Sequence, residues 1–272
     1  MTTRRPAIGV FDSGFGGLTV LKELIRHTPD ADYLYFGDTA RLPYGSKSAE
    51  TVARYALGAC HYLEERGAQL LVIACNTATA LALDQISAAA HVPVIGVVEP
   101  GAECASVASR SRKIVVLATE ATVSSHAYDK ALRARGMVSR EKACPLLVPL
   151  VEEGWVDHPV TEQVARIYLS EAFNGSSADV LLLGCTHYPL LKPLLHRVAP
   201  PDVTIVDSAE STASAVSRKL NVEPLPQCAD PERRATPRLK FFATDSVEKF
   251  RRLGAMFLGH PIEAVKHTDL KE

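Results

Sequence analysis

No stretch of this chain approaches the ~18–20 consecutive apolar residues needed to cross a bilayer. The opening residues, Met1 to Val10, run into a strand-like pattern without the apolar core of a secretory signal. The expectation is a cytoplasmic protein with no membrane partner. An excess of one charge is also missing: 30 Lys and Arg face 31 Asp and Glu, a formal net charge of -1. No basic surface therefore calls for nucleic acid. None of the six cysteines forms a Cys-x-x-Cys pair, which excludes a zinc ribbon or a thioredoxin-type site. In a reducing compartment they remain thiols rather than a disulfide framework. The chain has neither a Gly-x-Gly-x-x-Gly nor a Walker A loop. The glycines of Asp12-Ser-Gly-Phe-Gly-Gly17 are not followed by a lysine, so that loop reads as a tight turn with room for an anion rather than a nucleotide. Nothing marks a pyridoxal site, and no cofactor or metal is expected.

What the chain does have is alternation. Ala7–Phe11, Tyr33–Phe36, Leu70–Ala74, Val94–Val98, Ile114–Ala118, Val180–Leu183 and Val203–Val206 are short apolar runs, several of them apolar on successive residues, as in strands covered on both faces. Between them lie helical patterns. From Ser48 to Arg66, Val52, Tyr55, Ala56, Ala59, Tyr62 and Leu63 form one apolar face, and Gly67 supplies a stop. This β-α-β rhythm predicts an α/β fold with parallel-rich sheets flanked by helices. The segments Ile73-Ala-Cys-Asn-Thr77 and Leu183-Gly-Cys-Thr-His187 repeat one theme, an apolar strand ending in cysteine, about a domain length apart. The reading is two similar lobes with a site in the cleft between them: 1–98 plus 208–272, carrying Cys75, and 99–207, carrying Cys185. The prolines between 221 and 238 mark a surface excursion, after which Leu239–Ala243 and a helix over 247–258 return to the first lobe. Cys60 and Cys104 read as small packing or interfacial residues and Cys228 as peripheral.

Cys75 and Cys185 both fall at the carboxyl end of a strand, where open α/β sheets bind ligands. A helix beginning there favours thiolate and offers backbone N–H groups to a carboxylate. A lone cysteine at the end of a buried strand is more often an inert small residue; two at matching junctions suggest a symmetric reaction. Inverting a Cα–H centre without a cofactor requires a base on one face and an acid on the other, and a thiolate/thiol pair can exchange those roles. Cys185-x-His187 as a metal pair lacks the further ligands a metal needs.

At these positions the sequence resembles the glutamate racemases of the aspartate/glutamate racemase superfamily. The matching segments are Phe11-Asp-Ser-Gly-Phe-Gly-Gly17, Gly37-Asp-Thr-Ala-Arg-Leu-Pro-Tyr-Gly45, Ala74-Cys-Asn-Thr-Ala-Thr79 and Leu183-Gly-Cys-Thr-His-Tyr-Pro-Leu-Leu191, with Val151-Glu152 and Val206-Asp-Ser-Ala-Glu210 beside them. The resemblance spans about residues 7–220. It implies interconversion of L- and D-glutamate for peptidoglycan synthesis, with glutamate as the small-molecule partner and a homodimer as the assembly. It implies Cys75 and Cys185 as catalytic acid and base, and Asp12 and His187 as the polar partners that assist the two thiols and bind the substrate ammonium. Glu152 becomes an acidic residue near the cleft, and Ser13, Tyr44, Gly45, Asn76, Thr77 and Thr186 become substrate-binding positions. An aspartate-directed sibling, and a non-catalytic amino-acid-binding regulator on the same scaffold, are the alternatives.

Overall fold

The computed structural model describes residues 5–220 and 236–270. Most of the proline-rich excursion, and Cys228 with it, lies outside the described residues. The chain begins β1 (Ala7–Asp12), α1 (Leu18–His27), β2 (Asp32–Gly37), α2 (Ala49–Glu65), β3 (Leu70–Ile73), α3 (Asn76–Ala89) and β4 (Val94–Gly96). It continues with α4 (Val98–Ala108), β5 (Lys113–Ala118), α5 (Glu120–Ser125), α6 (Ala127–Arg133), β6 (Val138–Ala143), α7 (Leu147–Glu152), α8 (Pro159–Phe173), β7 (Val180–Gly184), α9 (Lys192–Val198) and β8 (Thr204–Asp207). The helix α10 (Ser208–Lys219) leads on to β9 (Leu239–Ala243), α11 (Val247–Leu258) and β10 (Val265–His267).

These strands form two sheets. One runs β10-β9-β2-β1-β3-β4 and the other β6-β5-β7-β8, with every pairing parallel. The near-continuous apolar strands follow from burial on both faces. Because side chains alternate, the central strands β1, β2, β3, β5 and β7 each feed two cores. Ile8, Val10, Tyr33, Tyr35 and Val72 of the first sheet meet Val115, Leu117, Leu181 and Leu183 of the second in one shared core. The opposite faces go outward: Phe11, Leu34, Phe36, Leu71 and Ile73 pack beneath α2 and α3, and Ile114, Val116, Val180 and Leu182 beneath α4 and α6. At about 1.5–3 kcal/mol for each large apolar side chain buried, the shared core fixes the two sheets against each other. It thereby aims the carboxyl ends of β1, β3 and β7 at one place.

Local signals set the helix ends. Ser48 caps α2, its hydroxyl accepting from the Thr51 N–H at 3.3 Å, and Asp207 caps α10 by accepting from Ala209 and Glu210. Beyond α2, Gly67 takes φ +90°, the left-handed turn a glycine adopts without a Cβ penalty.

The structure departs from the sequence reading at two points. The run Val94–Val98 ends as strand at Gly96, and Val98 already opens α4, whose first turn tolerates Pro100. Val138–Ala143, read as no element, is the edge strand β6, whose charged Arg140, Glu141 and Lys142 suit an edge rather than a sandwiched position. Cys104 lies exposed on α4, whereas Cys60 is buried.

Candidate active site

The turn after β1 is built by tight backbone approach. Asp12 Oδ2 accepts the Gly14 N–H at 2.9 Å, pinning the turn. A Cβ on Gly17 would lie 2.5 Å from the Asp12 Cβ, and one on Gly16 would lie 2.6 Å from His187 Nδ1. Only glycine lets this loop of the first sheet pass so close to the loop after β7. Thr19 completes the join, its hydroxyl donating to the Thr186 carbonyl at 3.1 Å.

A cavity of about 490 Å³ opens at the carboxyl ends of both sheets. Cys75 and Cys185 both line it, together with Ser13, Tyr44, Gly45, Asn76, Thr77, Glu152, Thr186 and His187. Of the residues singled out in the sequence, only Asp12 is not in the wall. It is fully buried directly behind, and among the described residues its Oδ1 has no hydrogen-bond partner. Phe15, Leu42, Val148 and Pro149 supply apolar wall.

The two cysteines stand in different surroundings. Cys75 caps α3: its sulfur accepts the Ala78 N–H at 3.5 Å and lies 3.5 Å from Ser13 Oγ. The expectation that a helix start lowers this thiol is corrected, because burial and, next, the Asp12 carboxylate push it up to about 12. Burial outweighs the helix start because water has been removed and the charged group acting on the sulfur among the described residues is the Asp12 carboxylate. Burial likewise raises Asp12, opposed by His187 and by the N–H groups of Gly17, Gly14 and Ser13.

Cys185 follows β7, and its sulfur lies 3.9 Å from His187 Nδ1. The other ring nitrogen, Nε2, meets Glu152 Oε1 at 3.2 Å. Burial alone would lower His187, but Cys185 and Glu152 outweigh it and raise the imidazole to about 10. Reciprocally, Glu152 is held below the usual carboxylate range, its burial overcome by His187 and Lys249. One cysteine thus sits beside a carboxylate and the other beside an imidazolium.

Some polar side chains are already engaged. Asn76 Oδ1 accepts the Tyr128 hydroxyl at 2.6 Å and one N–H of its Nδ2 donates to Ser208 at 3.4 Å. Tyr44 donates to Asp38 Oδ2 at 2.6 Å, and Asp38 also accepts from Thr244 and Arg41. Thr77 and Thr119 meet across the cleft at 2.9 Å. Thr119, Glu120, Ser246 and Lys249 line the cavity without having been singled out. Thr119 follows the apolar run of β5 as Cys75 follows that of β3, a signal the sequence contained. Lys249, one cation in an amphipathic helix, carried none.

Residues 8–216 match the model of the Asp/Glu/Hydantoin racemase family. The chain belongs to that family. It is 61% identical to a glutamate racemase of Koribacter versatilis over 99% of each sequence. Among solved structures, glutamate racemase from Thermus thermophilus in complex with β-chloro-D-alanine is 43% identical, with a TM-score of 0.85 over 98% of each chain. The glutamate racemase of Francisella tularensis, in complex with D-glutamate, is 34% identical with a TM-score of 0.86 over 98% of each chain. As a racemase of this family, the protein has the two-sheet α/β architecture with the cysteine-lined cavity between its sheets. Among the described residues no helix is long and apolar enough to cross a membrane.

Proposed function

We propose that the protein is a cofactor-independent glutamate racemase in which Cys75 and Cys185 act from opposite faces of the substrate. The observation that carries this reading is the pair of matched strand-end cysteines on one cavity, each with its own polar partner. One thiolate takes the α-proton and becomes a thiol. The opposite thiol gives its proton to the other face of the planar carbanion and becomes a thiolate, so one proton is taken, one is given, and no redox change occurs. For the reverse direction the roles exchange.

The remaining residues follow from charge. Glutamate brings an ammonium and two carboxylates. The unpartnered Oδ1 of Asp12 suits the ammonium, whose arrival also offsets the like charge that disfavours Cys75 thiolate. The carboxylates find donors in the hydroxyls of Ser13, Thr77 and Thr186 and in the backbone N–H groups of Gly45 and Asn76. Tyr44 packs beside them as part of the wall. His187, with Glu152 behind it, stabilises the thiolate of Cys185. In this reading the chain divides into 1–98 plus 208–272 and 99–207, works in the cytoplasm as a homodimer, and supplies D-glutamate to peptidoglycan synthesis.

The test is circular dichroism of L-glutamate, and separately L-aspartate, incubated with reduced protein and no added cofactor. Decay of the glutamate signal to zero with aspartate unchanged is expected. Decay of aspartate alone would assign the protein to the aspartate-directed sibling. Cys75→Ala and Cys185→Ala are each expected to lose at least ~10³-fold in rate while keeping the far-ultraviolet spectrum, because each removes one obligatory proton carrier. Near-normal turnover in either variant overturns the two-thiol mechanism, and a folded, reduced wild type that racemises neither substrate favours the binding-protein reading.

A further inference from the structure

The carboxylate behind His187 has a second partner. Glu152 ends α7, and its two oxygens are divided: Oε1 meets His187 Nε2 at 3.2 Å and Oε2 meets Lys249 Nζ at 3.3 Å. Lys249 comes from α11, about a hundred residues away in sequence. Its ammonium also stands over the Phe15 ring at 5.4 Å from the centroid, in the cavity wall. The ring and the carboxylate together hold a side chain that would otherwise be a solvated lysine.

We propose that Lys249 is a positioning residue for the Cys185 half of the reaction, occupying one oxygen of Glu152 so that only the other meets His187. The proposal rests on the racemase reading for its purpose but not for its geometry. The groups facing His187 are Cys185 from the β7 loop, Glu152 from α7 and Asp12 from the end of β1, and Glu152 in turn faces Lys249 of α11. Remove Lys249, and the whole carboxylate turns to the imidazole while a nearby cation disappears. Both changes favour imidazolium. Lys249 therefore sets how strongly Glu152 holds His187 in the charged form that stands beside Cys185.

The experiment follows the His187 imidazole by NMR in histidine-labelled full-length protein, with His187→Asn assigning the signal among the nine histidines. In Lys249→Met the titration midpoint is expected to rise by about 0.5 pH unit or more, the order of one charge acting through partly solvated surroundings. Lys249→Arg restores the wild-type midpoint, and Glu152→Gln lowers it. An unchanged or lowered midpoint in Lys249→Met overturns the proposal, as does an unchanged midpoint in Glu152→Gln. Far-ultraviolet spectra of all variants establish that they are folded. A wild type that racemises glutamate while Lys249→Met leaves the midpoint in place removes only the role of Lys249. A midpoint that rises in a protein that racemises nothing leaves the geometry standing and removes the functional reading.

Discussion

Asp12→Asn is expected to make Cys75 more reactive and the enzyme less active at the same time. A thiol pushed up to about 12 is thiolate to only ~10⁻⁴ at pH 8, against about a quarter for a free cysteine near 8.5. Burial accounts for the larger share of that shift and the Asp12 carboxylate for the next. Asparagine keeps the Asx turn, since its side-chain oxygen can still accept the Gly14 N–H, but it removes the like charge. A neighbouring charge at this range is worth about 1–2 pH units, so the thiolate fraction should grow roughly 10–100-fold. The assay is the iodoacetamide alkylation rate at Cys75, read peptide by peptide at pH 8, with the exposed Cys104 as internal reference. Racemisation should fall by about 10²–10³-fold, because the unpartnered oxygen offered to the ammonium is replaced by an amide that cannot carry the charge. Alkylation of Cys75 that is unchanged or slower in the variant would refute the argument, since it would mean that Asp12 places no charge on this thiol in the free protein.

Tyr128→Phe strands Asn76 Oδ1, a buried acceptor, at a cost of about 1–3 kcal/mol. For a chain of this size the thermal midpoint should fall by roughly 2–10 °C, and KM for glutamate should rise because the N–H of Asn76 is no longer fixed; thermal scans and initial rates read both. Asp179 accepts from Ser109 Oγ, Arg110 N, Ser111 N and Ser111 Oγ, which together, against its slight burial, hold it well below the usual carboxylate range. Its contribution is present above the unfolded carboxylate value near 4 and lost as pH falls through the lower folded value. Unfolding free energies of wild type and Asp179→Asn from urea titration should therefore differ by about 1–2 kcal/mol at pH 7, a figure already reduced for solvent screening, and converge towards pH 3. A gap that stays constant across that range would count against the assignment.

The parallel sheets were legible because burial on both faces writes itself as continuous apolar runs. The helix from Ser48 was legible to within a residue because its cap, its stripe and Gly67 agree. What escaped was polar at the edge: β6 spells Val-Ser-Arg-Glu-Lys-Ala and reads as loop because one side of an edge strand needs no apolar partner. The site divides the same way. Cys75, Cys185 and the glycine turn sit at strand ends, where position alone announces a ligand. Asn76 and Tyr44 were legible as residues of the site but not in what they touch: Tyr128 and Ser208 take up the Asn76 side chain from far along the chain, and Asp38, six residues before Tyr44, is brought to its hydroxyl by the intervening turn.

The difference between the two thiols is the part that only packing could reveal. Their sequence contexts are near repeats, Ala-Cys-Asn-Thr and Gly-Cys-Thr-His, and on that basis they look interchangeable. Folding puts a buried carboxylate behind one and a histidine with Glu152 behind the other, so the free protein is electrostatically lopsided around a chemically symmetric reaction. The equilibrium constant between enantiomers is unity, so kcat/KM must be equal in the two directions whatever the residues do. The lopsidedness can then appear only in how kcat and KM are divided, and in which proton transfer limits each direction. A substrate that carries its own cation to the Asp12 side offsets part of the imbalance on binding, which gives a physical reason for one cysteine to await its ligand as a neutral thiol while the other stands beside a ready-made positive charge.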